Sequence, residues 1–155
     1  MGEEKNEEES GERAMKGKIA LVVVGYNRPA SMKRILESLN RAQYDYEEIP
    51  LVISIDYSGN EEVINEAEKF QWEHGYKHLI CHEERMGLRK HIISCGDLTH
   101  EYGAVMILED DLYVSPDYYN YAIQTLEKYG AHPKIAGISL NTKRELLESP
   151  YPFFP

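Results

Sequence analysis

Glu109, Asp110 and Asp111 form three consecutive carboxylates at the exit of the apolar run Ala104-Val105-Met106-Ile107-Leu108. Like charges this close repel one another and push a proton onto one of the group, unless a cation sits among them. Carboxylate oxygens suit a hard divalent ion, Mg²⁺ or Mn²⁺. A Glu-Asp-Asp run by itself is as often a solvated loop, so its setting has to separate the two readings. Two other polar groups end apolar runs in the same way. Asn27-Arg28 follow Val22-Val23-Val24-Gly25-Tyr26, and Asp56 closes Leu51-Val52-Ile53-Ser54-Ile55.

The elements that must position these residues alternate along the chain. Residues 19–24 are apolar without alternation, as in a strand buried on both faces of a parallel sheet, and residues 51–55 predict a second strand. Residues 78–82 predict a short third strand, 104–108 a fourth and 135–140 a fifth. Between them, apolar residues at helical spacing predict helices over 31–42 (Met32, Ile35, Leu36, Leu39) and 61–73 (Val63, Ile64, Ala67, Phe70). A weaker helix is expected over 87–101, after the turn glycine Gly87. Ser115-Pro116 reads as the N-cap and first position of a helix that runs to Tyr129 and stops at Gly130. Alternation of this kind implies an α/β three-layer sandwich with a mostly parallel sheet. Ligands of such sheets bind at the carboxyl ends of the strands, where all three polar groups fall.

Composition narrows the function classes. The 155 residues are 42% hydrophobic and 28% charged, enough for one domain with a real core. The net charge of −10 argues against nucleic acid, whose backbone requires a basic face. Residues 1–14 hold six Glu against Lys5 and Arg13, a net of −4, which leaves −6 for the remainder. They are expected to be a disordered acidic leader, with Met15 as a candidate start and residues 15–155 as the domain. No signal peptide and no run near the roughly 18 apolar residues of a membrane span is present. Cys81 and Cys95 lack metal-motif spacing, which suits free thiols and a cytoplasmic location.

Four segments carry a resemblance. The segment from Val22 to Pro29, the segment from Pro50 to Asp56, Leu88-Arg89-Lys90-His91, and above all the segment from Ile107 to Tyr119 look like the nucleotide-sugar half of a GT-A fold glycosyltransferase. The similarity is nearest the N-acetylglucosaminyltransferase I type and looser to family 2. It runs from about Ile19 to Pro155 and rests most firmly on the acidic segment.

The resemblance implies a role at each position. Asp111 would bind a divalent metal, Mn²⁺ or Mg²⁺, that bridges the donor's two phosphates. Glu109 and Asp110 would lie at the ribose and sugar. Asp56 would hydrogen-bond the uracil edge of a UDP-sugar, unless it serves only the turn at Ser58-Gly59. Arg28 would reach the base or the phosphates. His91 would contact the donor, with Arg89 or Lys90 as alternatives. The sugar would pass with inversion to a glycan or other hydroxyl acceptor. No residue of this chain is a candidate for the catalytic base, which the resemblance places downstream of residue 155. Two rivals follow: a nucleotide-sugar-binding module without transfer, and another metal-dependent α/β phosphotransferase. The second lacks a glycine-rich phosphate loop.

Overall fold

A computed structural model describes residues 19–140; the acidic leader at 1–14 and the apolar tail at 150–155 lie outside them. Within this span β1 (Ala20–Gly25), β2 (Leu51–Ile55), β3 (Lys77–Cys81) and β4 (Val105–Glu109) form one sheet. The strand order is β3-β2-β1-β4 and every pair is parallel. Parallel neighbours require crossovers. These are supplied by α1 (Pro29–Arg41), α2 (Glu61–Lys69), and α3 (Leu88–Asp97) with the short α4 (Thr99–Tyr102). A fifth helix, α5 (Tyr118–Tyr129), follows β4.

Side-chain alternation divides each strand between two cores. Leu21 and Val23 of β1, Leu51, Ile53 and Ile55 of β2, and Met106 and Leu108 of β4 face one side. There they meet Met32, Ile35, Leu36 and Leu39 of α1, Val63 and Ala67 of α2, and Tyr119 and Ile123 of α5. Val22, Val24 and Val52 face the other side, against Cys95, Ile92 and Leu98. Burial on both faces explains why β1 reads as an unbroken apolar run; β2 departs from one only at Ser54, which is buried against His91. Each fully buried Val, Leu or Ile stabilises the fold by about 1.5–3 kcal/mol.

Polar contacts lock the crossovers to the sheet. The Lys77 ammonium donates to the carbonyls of Ala67, Glu68 and Phe70, so the first residue of β3 satisfies the orphan carbonyls ending α2. The Tyr119 hydroxyl donates to the Ile19 carbonyl at 3.0 Å and accepts from the Ile19 N–H at 2.9 Å, fastening α5 to the entry of β1.

The architecture agrees with the α/β sandwich read from the sequence, and three local expectations are corrected. Residues 135–140 are irregular and exposed rather than a fifth strand; β3 and β4 are the edges of the sheet among the described residues. The apolar side chains of Ile135, Ile138 and Leu140 meet no strand there, and a strand forms only with a partner for its ladder. The helix expected over 87–101 breaks at Leu98 into α3 and α4. α5 begins at Tyr118 with Asp117 before it, not at a Ser115 cap. The Ser115 carbonyl accepts the Tyr118 N–H, so the intervening residues form a turn that precedes the helix.

Candidate functional site

The sheet register brings the three polar strand ends to one level. Gly25 is paired with Ile55, Ile55 with Cys81, and Val24 with Glu109. The next residues continue the ladder: the Asp110 N–H bonds the Val24 carbonyl, the Asp56 N–H the Gly25 carbonyl, and the His82 N–H the Ile55 carbonyl. Asp110, the Gly25-Tyr26 exit of β1, Asp56 and His82 therefore share one rim. β1 is central, with β2 and β3 reached on one side and β4 on the other. The rim thus surrounds the point where the chain reverses its direction of winding, the usual ligand position in open parallel sheets.

Alternation also separates the carboxylates by face. Asp110 follows Leu108 onto the side of α1, whereas Asp56 follows Ser54 onto the side of α3. Asp110 is almost wholly buried, its side chain 3% exposed, beneath the Arg28 guanidinium that precedes α1. One arm of that guanidinium, Nη2, donates to Asp110 Oδ1; the other, Nη1, donates to Asp111 Oδ2 at 3.3 Å. Arg34, from the second turn of α1, donates to the Asp111 carbonyl at 3.2 Å. Burial raises the Asp110 carboxyl above its ordinary range, although the Arg28 charge pulls it back. The same ion pair raises the Arg28 guanidinium. Asp111 is half exposed, with its side chain at 49%. Glu109 is exposed at the strand end. Among the described residues, no three His, Cys, Asp or Glu side chains gather as a metal cluster.

Asp56 is buried and heavily committed. Its Oδ1 accepts the N–H groups of Tyr57 at 2.9 Å and Met86 at 2.7 Å, and its Oδ2 accepts that of Gly87 at 2.9 Å. Burial works against its charge, but the three N–H groups outweigh this and hold the carboxyl below its usual range. It thereby pins the loop that enters α3, not the Ser58-Gly59 turn. Behind it, His91 lies on the inward face of α3 with Cys95 one turn later, and both are buried. The Ser54 hydroxyl bonds His91 Nε2 at 2.7 Å and His82 Nε2 at 3.3 Å. His91 is thus engaged inside the fold, while Arg89 and Lys90, the alternatives for donor contact, are exposed.

A cleft of about 220 Å³ opens at the end of β2, lined by Asp56, Tyr57, Ser58, Asn60 and His82. Asn60 caps α2 by accepting the Glu62 N–H, and its amide donates to Asn27 at 2.7 Å, tying the exit of β1 to this cleft. The Arg85 guanidinium stacks over the exposed Tyr26 ring at the exit of β1, 5.3 Å from its centroid. Tyr57, Asn60, His82, Arg34 and Arg85 join the rim without having been singled out from the sequence. Only His82 carried a signal, as the last residue of the run read as the third strand, which here ends at Cys81. The others arrive through loop paths that no local pattern encodes. A larger groove of about 570 Å³ lies between α1 and α2, around Lys33, Asn40 and Phe70, away from the rim. Its lining is mostly charged and polar, with the Arg41–Glu37 ion pair at 3.0 Å, but it lies on the helix surface and not at the strand ends.

No family model matches the sequence, and no curated protein matches it. Solved structures do match the fold. S. aureus TarS residues 1–349 superposes with a TM-score of 0.58 at 16% identity, covering 74% of this chain and 33% of that one. A further TarS structure gives 0.58 at 16% identity, covering 72% and 20%. TarS residues 1–349 in complex with UDP gives 0.59 at 16% identity, covering 74% and 33%. The chain thus spans a third or less of the length of these structures. At this identity the likeness establishes the fold alone, an α/β sandwich on a parallel sheet.

Proposed function

We propose that this chain is the donor-binding part of a metal-dependent glycosyltransferase, which holds a nucleoside diphosphate sugar, a uridine one, on the rim described above. The observation that carries the reading is the convergence of Asp110-Asp111, Arg28 and Asp56 on one strand-end rim. The fold it shares with a UDP complex supports the choice of nucleotide. The 220 Å³ cleft beside Asp56 suits a nucleobase, with Tyr57 at its side. A carboxylate offers about four acceptor positions, and three on Asp56 are taken. One remains for the imide N–H of a uracil.

The donor set fits a hard divalent ion, Mn²⁺ or Mg²⁺. Asp111 presents a half-exposed carboxylate, and the Arg28 guanidinium already stands where a cation is wanted. Such ions are commonly held by one or two carboxylates, with substrate phosphates and water completing the shell. The absence of a three-residue cluster among the described residues is therefore compatible with the assignment. When bound, the ion would act as a Lewis acid that neutralises the leaving diphosphate. Asp111 would hold it, Asp110 would keep Arg28 oriented, and Glu109 would face the ribose or sugar.

Transfer, with inversion, to a hydroxyl acceptor also requires a base. The rim carboxylates are already assigned, so the reading commits this segment to donor binding and places the base elsewhere. The test is titration calorimetry of UDP with and without Mn²⁺. Wild-type protein is expected to bind UDP only with the metal. Asp111→Asn is expected to lose that metal-dependent binding while folding normally. An unchanged affinity of Asp111→Asn in Mn²⁺ overturns the assignment.

A further inference from the structure

The guanidinium of Arg28 is split between two unequal carboxylates. Its Nη2 arm meets Asp110, whose side chain is 3% exposed; its Nη1 arm meets Asp111 at 3.3 Å, where both partners are about half exposed. A buried charge without its partner is costly, whereas a solvated ion pair is exchanged with little loss. The two arms therefore differ in permanence: one anchors and the other can be given up. The Arg34 contact to the Asp111 carbonyl holds the backbone of that residue in place while its side chain changes partner.

We propose that Arg28 is a resident counter-ion for Asp111, one that makes the rim accept a divalent metal together with a nucleotide diphosphate but reject the metal alone. This rests on the donor-binding reading above. A free dication approaching Asp111 meets a positive guanidinium already in its place and offers that guanidinium nothing in exchange. A metal-diphosphate complex brings anionic oxygens with it. The Nη1 arm then moves from Asp111 to a phosphate oxygen, while Nη2 stays on Asp110. The number of ion pairs made by Arg28 is conserved, so the exchange is nearly neutral for the complex and unfavourable for the bare ion. Metal and nucleotide become coupled ligands, each raising the affinity for the other by the same factor.

The test measures free Mn²⁺ by electron paramagnetic resonance, without and with UDP, in wild-type protein, Arg28→Gln and Arg28→Lys. Wild-type protein is expected to bind Mn²⁺ alone weakly, and UDP to tighten it by about tenfold or more. Arg28→Gln removes the resident charge, so Mn²⁺ alone is expected to bind about tenfold more tightly, with the coupling to UDP reduced. Arg28→Lys keeps the charge but not the fork, so it should resemble wild-type protein for Mn²⁺ alone and lose part of the coupling. Circular dichroism confirms that the variants are folded. Wild-type binding of Mn²⁺ with UDP, combined with an unchanged or weaker Mn²⁺ affinity in Arg28→Gln, overturns the counter-ion role and leaves the donor-binding reading intact. Failure of wild-type protein to bind UDP in the presence of Mn²⁺ removes the reading, and the proposal with it.

Discussion

Asp56 accepts three main-chain N–H groups from two loops, and an amide in its place would turn one acceptor into a donor aimed at those groups. Hydrogen bonds to a buried charge carry more than neutral ones, and leaving their donors unpaired adds to the loss. Asp56→Asn is expected to cost about 2–3 kcal/mol in urea unfolding. The sign of the acid response follows from the direction of its shift. The carboxyl is held below its ordinary range, so the stability it adds is present above about pH 4 and drains away as the pH falls further. The variant should lose that part of the acid limb; an identical acid limb would show that the carboxylate is not the group responsible. The position of Asp56 at the strand end was legible in the sequence. Its partners, thirty residues away at Met86 and Gly87, were not, because main-chain donors leave no trace in residue type.

At the scale of elements, the entry to α3 depends on Gly87, whose φ of +78° and ψ of 155° lie in a region that residues with a Cβ rarely adopt. A Cβ there would meet nothing within 4 Å, so the cost of Gly87→Ala is conformational rather than steric. It is expected at about 1–3 kcal/mol by urea unfolding, together with weaker UDP binding as the Asp56 clamp loosens. Unaltered stability would show that the turn relaxes without strain. The strands were the most legible elements. A parallel strand covered on both faces is largely apolar, and Leu51–Ile55, apolar but for Ser54, has the bounds read from its sequence. Residues 135–140 show where the same logic fails. Ile135, Ile138 and Leu140 have strand composition, but composition cannot say whether a neighbouring edge is at hand. The break at Leu98 was equally hidden, since α3 and α4 share one helical spacing. The acidic rim was legible because three like charges at a strand exit require an explanation; the Arg28 contact that supplies part of it spans 82 residues.

For the whole molecule, stability against pH should turn on His91. Burial lowers its basicity and the charge of His82 lowers it further, against a smaller pull upward from Asp56. The folded state therefore prefers the neutral ring, while the unfolded chain takes up a proton near pH 6.5. Stability is complete above that pH and falls as the pH drops below it. Thermal unfolding midpoints between about pH 7.5 and 5.5 should decline in wild-type protein and decline less in His91→Gln; parallel curves would assign the slope to another group. A second consequence belongs to the all-parallel sheet. Its strand neighbours are never joined by a tight hairpin, and β1 and β4, which meet at the rim, are separated by three crossovers. The Ile19–Tyr119 fastening spans 100 residues. Folding must close long loops before these contacts repay the lost chain entropy, which places the domain among slow folders, on the scale of milliseconds to seconds. On a ribosome, β1, β2 and β3 can pair before the fourth strand exists, but Arg28 waits for its carboxylates until β4 has emerged and inserted beside β1. The rim is thus completed only when β4, the fourth of the described strands, has arrived.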